Sequence, residues 1–388
     1  MKQTVIAAAG LVVLVGAALA PVLAAPTRAR TESQDPATDA PFRERVDGFW
    51  RWFEGVERRL HRGMFDKQIV ELTRDVGARV DAVVPGLSWS FGPGDAPGEH
   101  ALVLSPSGSR DLRLLTEVWI ATAPELEGWV FRAAEPPSDL ESVRFGVGDA
   151  EIDASLARTA ADAPAPGDRL AIGVWHPAYA ELDARSTAWL ARFLVEETLG
   201  EDRTMAWLGE VSPLDAAPEG EGARTLSELQ AAAPALAARA GLQDAWAFDA
   251  WRDVALDALK RDDFPRSELR SARTCVPWIV KSYHARRGRP RDPLRRTGAS
   301  YATVRVPGAD LAEDLTAAAL ADIFAERLPA ARIVGHARSD EAVYVDLLVL
   351  DRARTVEDLQ RTVRATECAR SADLLRLTRG GPKPVRIR

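Results

Sequence analysis

The first 25 residues constrain this chain most, because their composition sets them apart from the rest. Positive charge is confined to Met1 and Lys2, and an apolar run follows from Val5 to Ala25. A short positive region followed by a hydrophobic stretch is typical of a secretory signal peptide. Small residues flank the expected cut, so we predict cleavage between Ala24 and Ala25.

The same apolar run also fits a second interpretation, an uncleaved membrane anchor. About 20 apolar residues can span a bilayer, and the run is longer than the usual signal-peptide core of about 7 to 15 residues. Both interpretations carry the body of the chain out of the cytoplasm. It would be periplasmic or extracellular, or held at a membrane by residues 5–25. Residues 25–41 are small, polar and proline-containing, which predicts a flexible tether.

Beyond the tether, hydrophobic periodicity predicts an α+β protein of tandem small subdomains. Phe42, Val46, Phe49 and Phe53 repeat at helical spacing. Near the C-terminus, a strand, helix, strand, strand, helix order indicates a ferredoxin-like βαββα unit. The predicted boundaries are a signal peptide or anchor at 1–24, a tether at 25–41, an N-terminal ααββαβ subdomain at 42–137, a middle α+β subdomain at 138–240, an irregular basic connector at 241–298 and a C-terminal βαββα subdomain with a basic tail at 299–388.

The N-terminal subdomain contains a strand, strand, helix, strand order that recurs in the middle subdomain. Residues 143–147 and 170–175 have strand character, 184–199 have a helical pattern, and 204–211 have strand character again. No residue-level identity accompanies this order, so we expect a structural repeat only. In the C-terminal subdomain, the strand predicted at 342–350 is apolar on both faces.

Five stretches of the body combine aromatic residues with packing positions: FWRWFEGVERRL from Phe49, APELEGWVFRAAEPP from Ala123, FLVEETLGEDRTMAWLGEV from Phe193, PRSELRSARTCVPWIVKSYH from Pro265 and GASYATVRV from Gly298. Together they resemble a group of bacterial hypothetical proteins, a domain of unknown function with no assigned activity. The resemblance covers most of residues 42–306. Because its motifs are aromatic and packing-like, it implies a shared fold and no catalytic residue.

Motifs of common catalytic and metal sites are missing from the sequence. There is no phosphate-binding loop, no dinucleotide-binding glycine pattern, no Gly-x-Ser-x-Gly elbow and no His-Glu-x-x-His pair. The five histidines lie far apart and no Cys-x-x-Cys pair exists, so a zinc site would need ligands from distant segments. We therefore predict no catalytic residue, no metal and no cofactor.

Cys275 is the most interesting single residue for chemistry. Thr274 is predicted to cap a helix with an apolar stripe through Ile279, which would place the thiol at a helix N-terminus beside Arg273. That position lowers the pKa of a thiol and favours the nucleophilic thiolate. His284 lies nine residues further on, at the opposite side of such a helix. A general base would therefore have to come from elsewhere.

The two cysteines also fit a disulfide. Exported proteins commonly pair their cysteines, and a bond between Cys275 and Cys368 would close a long loop. By loop-entropy arithmetic such a bond stabilises a fold by about 4 to 5 kcal/mol. Two unpaired structural thiols are the further alternative. The sequence leaves the disulfide, the structural thiols and the reactive thiol open.

Charge is distributed unevenly along the chain. Residues 135–258 hold 9 basic and 23 acidic residues, residues 281–296 hold 7 and 1, and the tail 361–388 holds 8 and 2. The segment 281–296 predicts either a surface for an anionic envelope component, such as lipid or a polymer, or a solvated linker. The net charge of −7 argues against a nucleic-acid partner. The binding candidates are Arg266, Lys281, Tyr283, His284, Arg286, Arg287, Arg289 and Arg291.

These features predict a non-catalytic binding or scaffold protein of the bacterial cell envelope. The alternative is an exported enzyme with a site in the 241–298 region around Cys275. Arg266, Lys281, Tyr283 and His284 are its further candidates. A deep pocket that gathers several of these side chains would favour the enzyme.

Overall fold

A computed structural model describes residues 6–8, 11–13, 40–65, 70–161, 165, 169–220, 222–243, 246–256, 264–288, 290–313, 315–379 and 383–388. Helices and several separate sheets make up this part of the chain, which confirms the α+β class. The chain divides into two compact units. Unit 1 comprises residues 1–24, 54–78 and 86–246, and unit 2 comprises residues 25–53, 79–85 and 247–388.

Helices and strands are numbered along the chain. The helices are α1 (Phe42–Phe65), α2 (Val70–Val83), α3 (Arg110–Ile120), α4 (Ala184–Trp207), α5 (Leu226–Arg239), α6 (Pro277–Ala285), α7 (Ala317–Arg327) and α8 (Arg352–Thr366). The strands are β1 (Ile6–Ala8), β2 (Leu11–Val13), β3 (Ser88–Pro93), β4 (His100–Ser105), β5 (Trp129–Arg132), β6 (Arg144–Val147), β7 (Ala150–Asp153), β8 (Arg158–Ala161), β9 (Leu170–Trp175), β10 (Leu208–Pro213), β11 (Ala223–Arg224), β12 (Arg252–Ala255), β13 (Ser271–Thr274), β14 (Ser300–Pro307), β15 (Ala331–Arg338), β16 (Ala342–Val349), β17 (Ala372–Arg376) and β18 (Val385–Ile387).

The N-terminal segment is described only in part. β1 and β2 pair antiparallel, whereas the predicted cleavage site at Ala24 and Ala25 and most of the tether lie outside the described residues. Among the helices of the described part, none combines the length and the apolar character needed to cross a bilayer.

One sheet of unit 1 has the strand order β3-β4-β5. β3 and β4 pair antiparallel, and β4 and β5 pair parallel, with α3 between them along the chain. The side chain of Ser109 accepts a hydrogen bond from the Leu112 backbone N–H and so caps the start of α3. Leu114, Leu115 and Trp119 of α3 are buried, so this helix contributes its apolar side to the core.

A second sheet of unit 1 has the order β10-β9-β8-β11. β8 and β9 pair antiparallel and β9 and β10 pair parallel, with α4 between them, so the two sheets share one pairing pattern. The first strand of this second pattern is β8. Residues 143–147 were predicted for that place, but they contain β6, which pairs with β7 in a separate hairpin.

α4 runs further than the sequence predicts, because it continues beyond a kink at Gly200. Gly200 has φ +74°, and a Cβ there would lie within 3 Å of Pro136 and Pro137 atoms, so the position requires glycine. The helical pattern was predicted to end at 199, with a strand over 204–211. The helix instead reaches Trp207, whose side chain is buried, and β10 follows it.

Unit 2 is built on an antiparallel sheet in the order β12-β13-β15-β16-β14-β17-β18. Within it, β14, α7, β15, β16, α8 and β17 follow one another, and the strand order β15-β16-β14-β17 is the ferredoxin-like arrangement. α7 and α8 contribute to the core that contains Val343, Val345 and Leu347 of β16. Tyr344, from the opposite face of β16, packs in a cluster with Val280 of α6.

The stretch 241–298 contributes regular structure to unit 2, although the sequence predicted an irregular connector. β12 and β13 extend the sheet beyond β15, and α6 follows them. Both strands have four residues. Their pairing partners include β15, which lies about 60 residues further along the chain. Local periodicity over such short runs carries little information.

Candidate functional site: an arginine groove

The basic segment of unit 2 lines a concave surface. A groove of about 590 Å³ is lined by Arg291, Asp292, Pro293, Arg295 and Arg296. We call it the arginine groove. The side chains of its three arginines are exposed, and one carboxylate accompanies three guanidinium groups, so the formal charge of the lining is positive.

The backbone that carries the groove is folded into consecutive turns. Asp292 Oδ1 accepts a hydrogen bond from the Leu294 N–H at 3.0 Å. Thr297 Oγ1 donates to the Leu294 carbonyl at 2.8 Å and accepts from the Ala299 N–H at 3.2 Å. Leu294 itself is buried. Short polar side chains commonly stabilise turns in this way, so these hydrogen bonds give residues 292–299 a defined backbone within unit 2.

The groove segment also joins the basic tail. The Arg379 N–H donates to the Pro290 carbonyl at 2.7 Å, and Arg291 and Arg379 form a parallel β-bridge. The sequence showed 281–296 and 361–388 as two separate basic regions. The fold brings them together at this bridge.

The start of α1 lies directly behind the groove. Arg45 donates from Nη1 to the Arg296 carbonyl at 2.8 Å and from Nε to the Ala40 carbonyl at 2.9 Å. The Phe42 N–H donates to the Gly298 carbonyl at 3.4 Å. A Cβ at Gly298 would lie 2.5 Å from the Ala40 carbonyl oxygen, so glycine permits this close approach.

The other exposed basic candidates lie at the end of α6. Lys281, Arg286 and Arg287 are exposed, and the Arg286 N–H donates to the Ser282 carbonyl at 3.0 Å. Basic groups at a helix C-terminus interact favourably with the helix dipole, which gives these residues a structural role. They do not line the groove, and Arg289 lies outside the described residues.

Arg266, one of the binding candidates that the sequence offered, lies in the interior of unit 2. It is 1% exposed and forms a two-fold ion pair with Asp346, which is 0% exposed. Nη2 donates to Oδ2 at 3.0 Å, and Nη1 donates to Oδ1. The guanidinium carbon also lies 5.7 Å and 5.3 Å from the ring centroids of Tyr283 and Tyr344. The charge is therefore compensated inside the core.

Tyr283 and His284 are buried as well, so they do not contribute to a surface. Tyr283 Oη donates to the Pro265 carbonyl at 3.0 Å, and burial raises its pKa to about 12. The His284 ring lies 6.2 Å from the Phe264 ring in an edge-to-face arrangement.

Cys275 does not lie at a helix N-terminus, contrary to the prediction. It follows β13, and α6 begins two residues later at Pro277. Thr274 Oγ1 accepts a hydrogen bond from the Val276 N–H at 3.0 Å, which forms a local turn before the helix. Pairing of Thr274 in β13 holds this region extended, so the helix starts later than its apolar stripe suggested.

The thiol of Cys275 does not have the lowered pKa that the reactive-thiol alternative requires. It is 1% exposed and donates to the Val334 carbonyl at 3.5 Å. Burial raises its pKa to about 12. Arg273 does not offset this, because it lies on the exposed face of β13 and pairs there with Asp253 at 3.3 Å.

The predicted disulfide is not formed, because Cys275 and Cys368 are both free and are not within bonding distance. Cys275 contacts β15 through its hydrogen bond to Val334. Cys368 follows α8 and belongs to the core under α7 and α8. Both thiols are buried, which agrees with the alternative of two structural cysteines.

Unit 1 contains a polar cluster that sequence reasoning missed. Glu135, Glu197 and Glu201 lie together, and the Glu135 N–H donates to Glu201 Oε2 at 2.9 Å. Serine hydroxyls donate to all three carboxylates: Ser90 to Glu135 at 2.6 Å, Ser138 to Glu197 at 3.1 Å and Ser105 to Glu201 at 2.7 Å.

Burial raises the pKa of each of these three glutamates, and the neighbouring carboxylates raise it further. Glu197 and Glu201 are four residues apart on α4, which was the available signal, whereas Glu135 comes from a loop that only the fold brings close. Within the described residues, no group of three or more histidine, cysteine, aspartate or glutamate side chains has a geometry that could hold a metal ion.

Comparisons with known proteins add no assignment. No protein-family model, no curated protein and no solved structure matches this chain. The candidate site therefore has to be interpreted from its own chemistry.

Proposed function

We propose that this protein is a non-catalytic binding protein of the bacterial cell envelope that holds an anionic ligand in the arginine groove. The observation that carries this proposal is the groove itself, in which Arg291, Arg295 and Arg296 line one concavity of about 590 Å³. Guanidinium groups pair with phosphate and carboxylate through two parallel hydrogen bonds, so they suit anionic groups of this kind.

The rigidity of the groove backbone supports the proposal. Turn hydrogen bonds at Asp292 and Thr297, the bridge to Arg379 and the contact from Arg45 hold the segment from several sides. A ligand would therefore bind arginines whose backbone is already ordered, and binding would cost less conformational entropy.

The enzyme alternative has less support than the binding proposal, because most of its candidate residues are buried. Cys275 and Arg266 are 1% exposed. The pKa of Cys275 is raised to about 12, so its thiolate is scarce at neutral pH. Arg266 pairs with Asp346 in the core, and no candidate of this group lines the arginine groove. Binding is the better proposal for this geometry.

Localisation in the envelope rests on the N-terminal sequence, with its positive start and apolar run over 5–25. We propose export, with cleavage between Ala24 and Ala25 or retention of the segment as an anchor. The intact mass of the natively expressed protein distinguishes these cases. A soluble product beginning at Ala25 indicates cleavage, a full-length membrane product indicates the anchor, and a full-length cytosolic product contradicts export.

Anion binding is tested with soluble inorganic polyphosphate by isothermal titration calorimetry at two salt concentrations. The groove variant is Arg291→Gln/Arg295→Gln/Arg296→Gln. A control with the same charge change is Arg252→Gln/Arg332→Gln/Arg338→Gln, which alters exposed arginines of unit 2 outside both basic segments. We expect the groove variant to lose at least about tenfold in affinity, since a hydrogen bond to a charged group contributes about 1.5 to 3 kcal/mol. Equal affinities of the two variants would contradict the proposal.

A further inference from the structure

We propose that the arginine groove docks on anionic phospholipid headgroups at the membrane beside which the N-terminal segment holds the protein. This inference rests on the proposed anion-binding function and on retention of the apolar run as an anchor, and it names the ligand class. Three observations carry it: where the N-terminal tether ends, how far that tether reaches, and how the basic residues are joined.

The tether ends at the groove. Ala40, the first described residue after it, approaches Gly298 so closely that a Cβ there would lie 2.5 Å from the Ala40 carbonyl oxygen. Two residues later the Phe42 N–H bonds to the Gly298 carbonyl, and Arg45 bonds to the Arg296 carbonyl. The chain that leads back towards the first 25 residues therefore leaves unit 2 beside the groove.

The length of the tether keeps the groove near that attachment. Fourteen residues, 26–39, separate the apolar run from Ala40. A chain of fourteen residues spans at most about 50 Å even when it is fully extended. A ligand on the same membrane surface would be at a high effective concentration, so even weak binding sites would be occupied.

The basic residues form a joined set rather than an isolated pair. The bridge between Arg291 and Arg379 places one exposed arginine of the basic tail beside the three arginines of the groove. Each basic residue near an anionic lipid surface adds about fivefold in affinity, because it contributes about 1 kcal/mol of electrostatic attraction. The described residues of the lining include no aromatic or long aliphatic side chain, so the contact would be electrostatic and weakened by salt.

The test uses the full chain, mixed with vesicles of phosphatidylcholine alone or with about 30% phosphatidylglycerol, a strongly anionic surface. The hydrogen-exchange rate of the peptide that covers 290–298 reports whether lipid contacts the groove. It does so whether or not the apolar segment inserts into the vesicle. We expect exchange to slow severalfold only on the anionic vesicles, and to return towards its free rate at high salt. The peptide that covers β15 should not change.

The variants separate the two proposals. The Arg291→Gln/Arg295→Gln/Arg296→Gln chain should lose the lipid-dependent protection, and the Arg252→Gln/Arg332→Gln/Arg338→Gln chain should keep it. If the groove variant unfolds, Arg291→Glu alone serves in its place. Polyphosphate binding through the groove without protection on anionic vesicles would overturn lipid docking and leave the proposed function intact. If the groove variant keeps both polyphosphate binding and lipid-dependent protection, both the proposed function and lipid docking are overturned.

Discussion

The ion pair between Arg266 and Asp346 makes a quantitative prediction about unit 2. Both side chains are at most 1% exposed. Removing one partner leaves the other charge uncompensated in the core, which costs about 3 to 5 kcal/mol of unfolding free energy. We expect Arg266→Met to lie at the upper end of this range, because it also loses the contacts of the guanidinium with Tyr283 and Tyr344.

The double variant Arg266→Met/Asp346→Val should recover most of that loss. The double variant removes both charges, so no charge has to be desolvated in the core. A buried ion pair often stabilises a fold no more than well-packed apolar residues of similar volume do. In this pair, Arg266 Nε has no hydrogen-bond acceptor within the described part of the chain, so the native pair already carries an unsatisfied buried donor. We therefore expect a coupling energy of at least about 3 kcal/mol between the two substitutions.

Native-state hydrogen exchange of the β16 amides is the suitable assay, because it measures the opening of unit 2 alone. The wild type, both single variants and the double variant complete the cycle. The reasoning would be refuted by single variants that each cost less than about 1 kcal/mol, or by a double variant that costs as much as the sum of the single variants.

Three further predictions concern two glycines, the glutamate cluster of unit 1 and the two cysteines. Gly335→Ala should lower the free energy of unfolding by about 1 to 3 kcal/mol, because the new Cβ would lie 2.9 Å from the Thr274 hydroxyl oxygen. Gly48→Ala in α1 should raise it by about 0.5 to 1 kcal/mol, because a Cβ there meets nothing within 4 Å. Urea denaturation of both variants measures these changes. Burial raises the pKa of Glu135 in the folded state. Its contribution to stability is therefore fully present below the unfolded value near 4.5 and is lost as the pH rises through the folded value. Glu135→Gln should flatten the decline in melting temperature that begins above about pH 4.5, and an unchanged slope would contradict this. A thiol-labelling reagent should modify neither Cys275 nor Cys368 in the native protein, because both are buried. After unfolding without reductant it should modify both. Rapid labelling of the native protein would contradict this prediction.

Sequence periodicity predicted burial best where every residue of a segment has the same surroundings. The strand at 342–350 was apolar on both faces, and β16 is buried along its whole length between α7 and α8 on one side and the Tyr344 cluster on the other. The positive charge of 281–296 was likewise visible from composition, and three of its arginines line the groove. Such properties depend on residue type and spacing, which the sequence states directly.

The predictions that were wrong depended on contacts between distant segments. Local spacing suggested a helix start at Cys275, but β13 pairs with β15, and this pairing keeps Thr274 extended. The same pairing buries the thiol and reverses the direction of its pKa shift. Glu135 meets Glu201 only because a loop after β5 packs on α4. No local pattern encodes a partner about 60 residues away, so these features could not be derived from periodicity.

The arginine groove combines both kinds of information. The sequence supplies the arginines, but a run of basic residues alone is as consistent with a solvated linker as with a binding surface. The difference lies in the backbone, which the buried Leu294, the bridge to Arg379 and the contact from Arg45 hold in place. A solvated linker would lose conformational entropy when a ligand orders its backbone, whereas the backbone of these turns has already lost that entropy during folding. The fixed backbone is therefore the reason to interpret this basic run as a site.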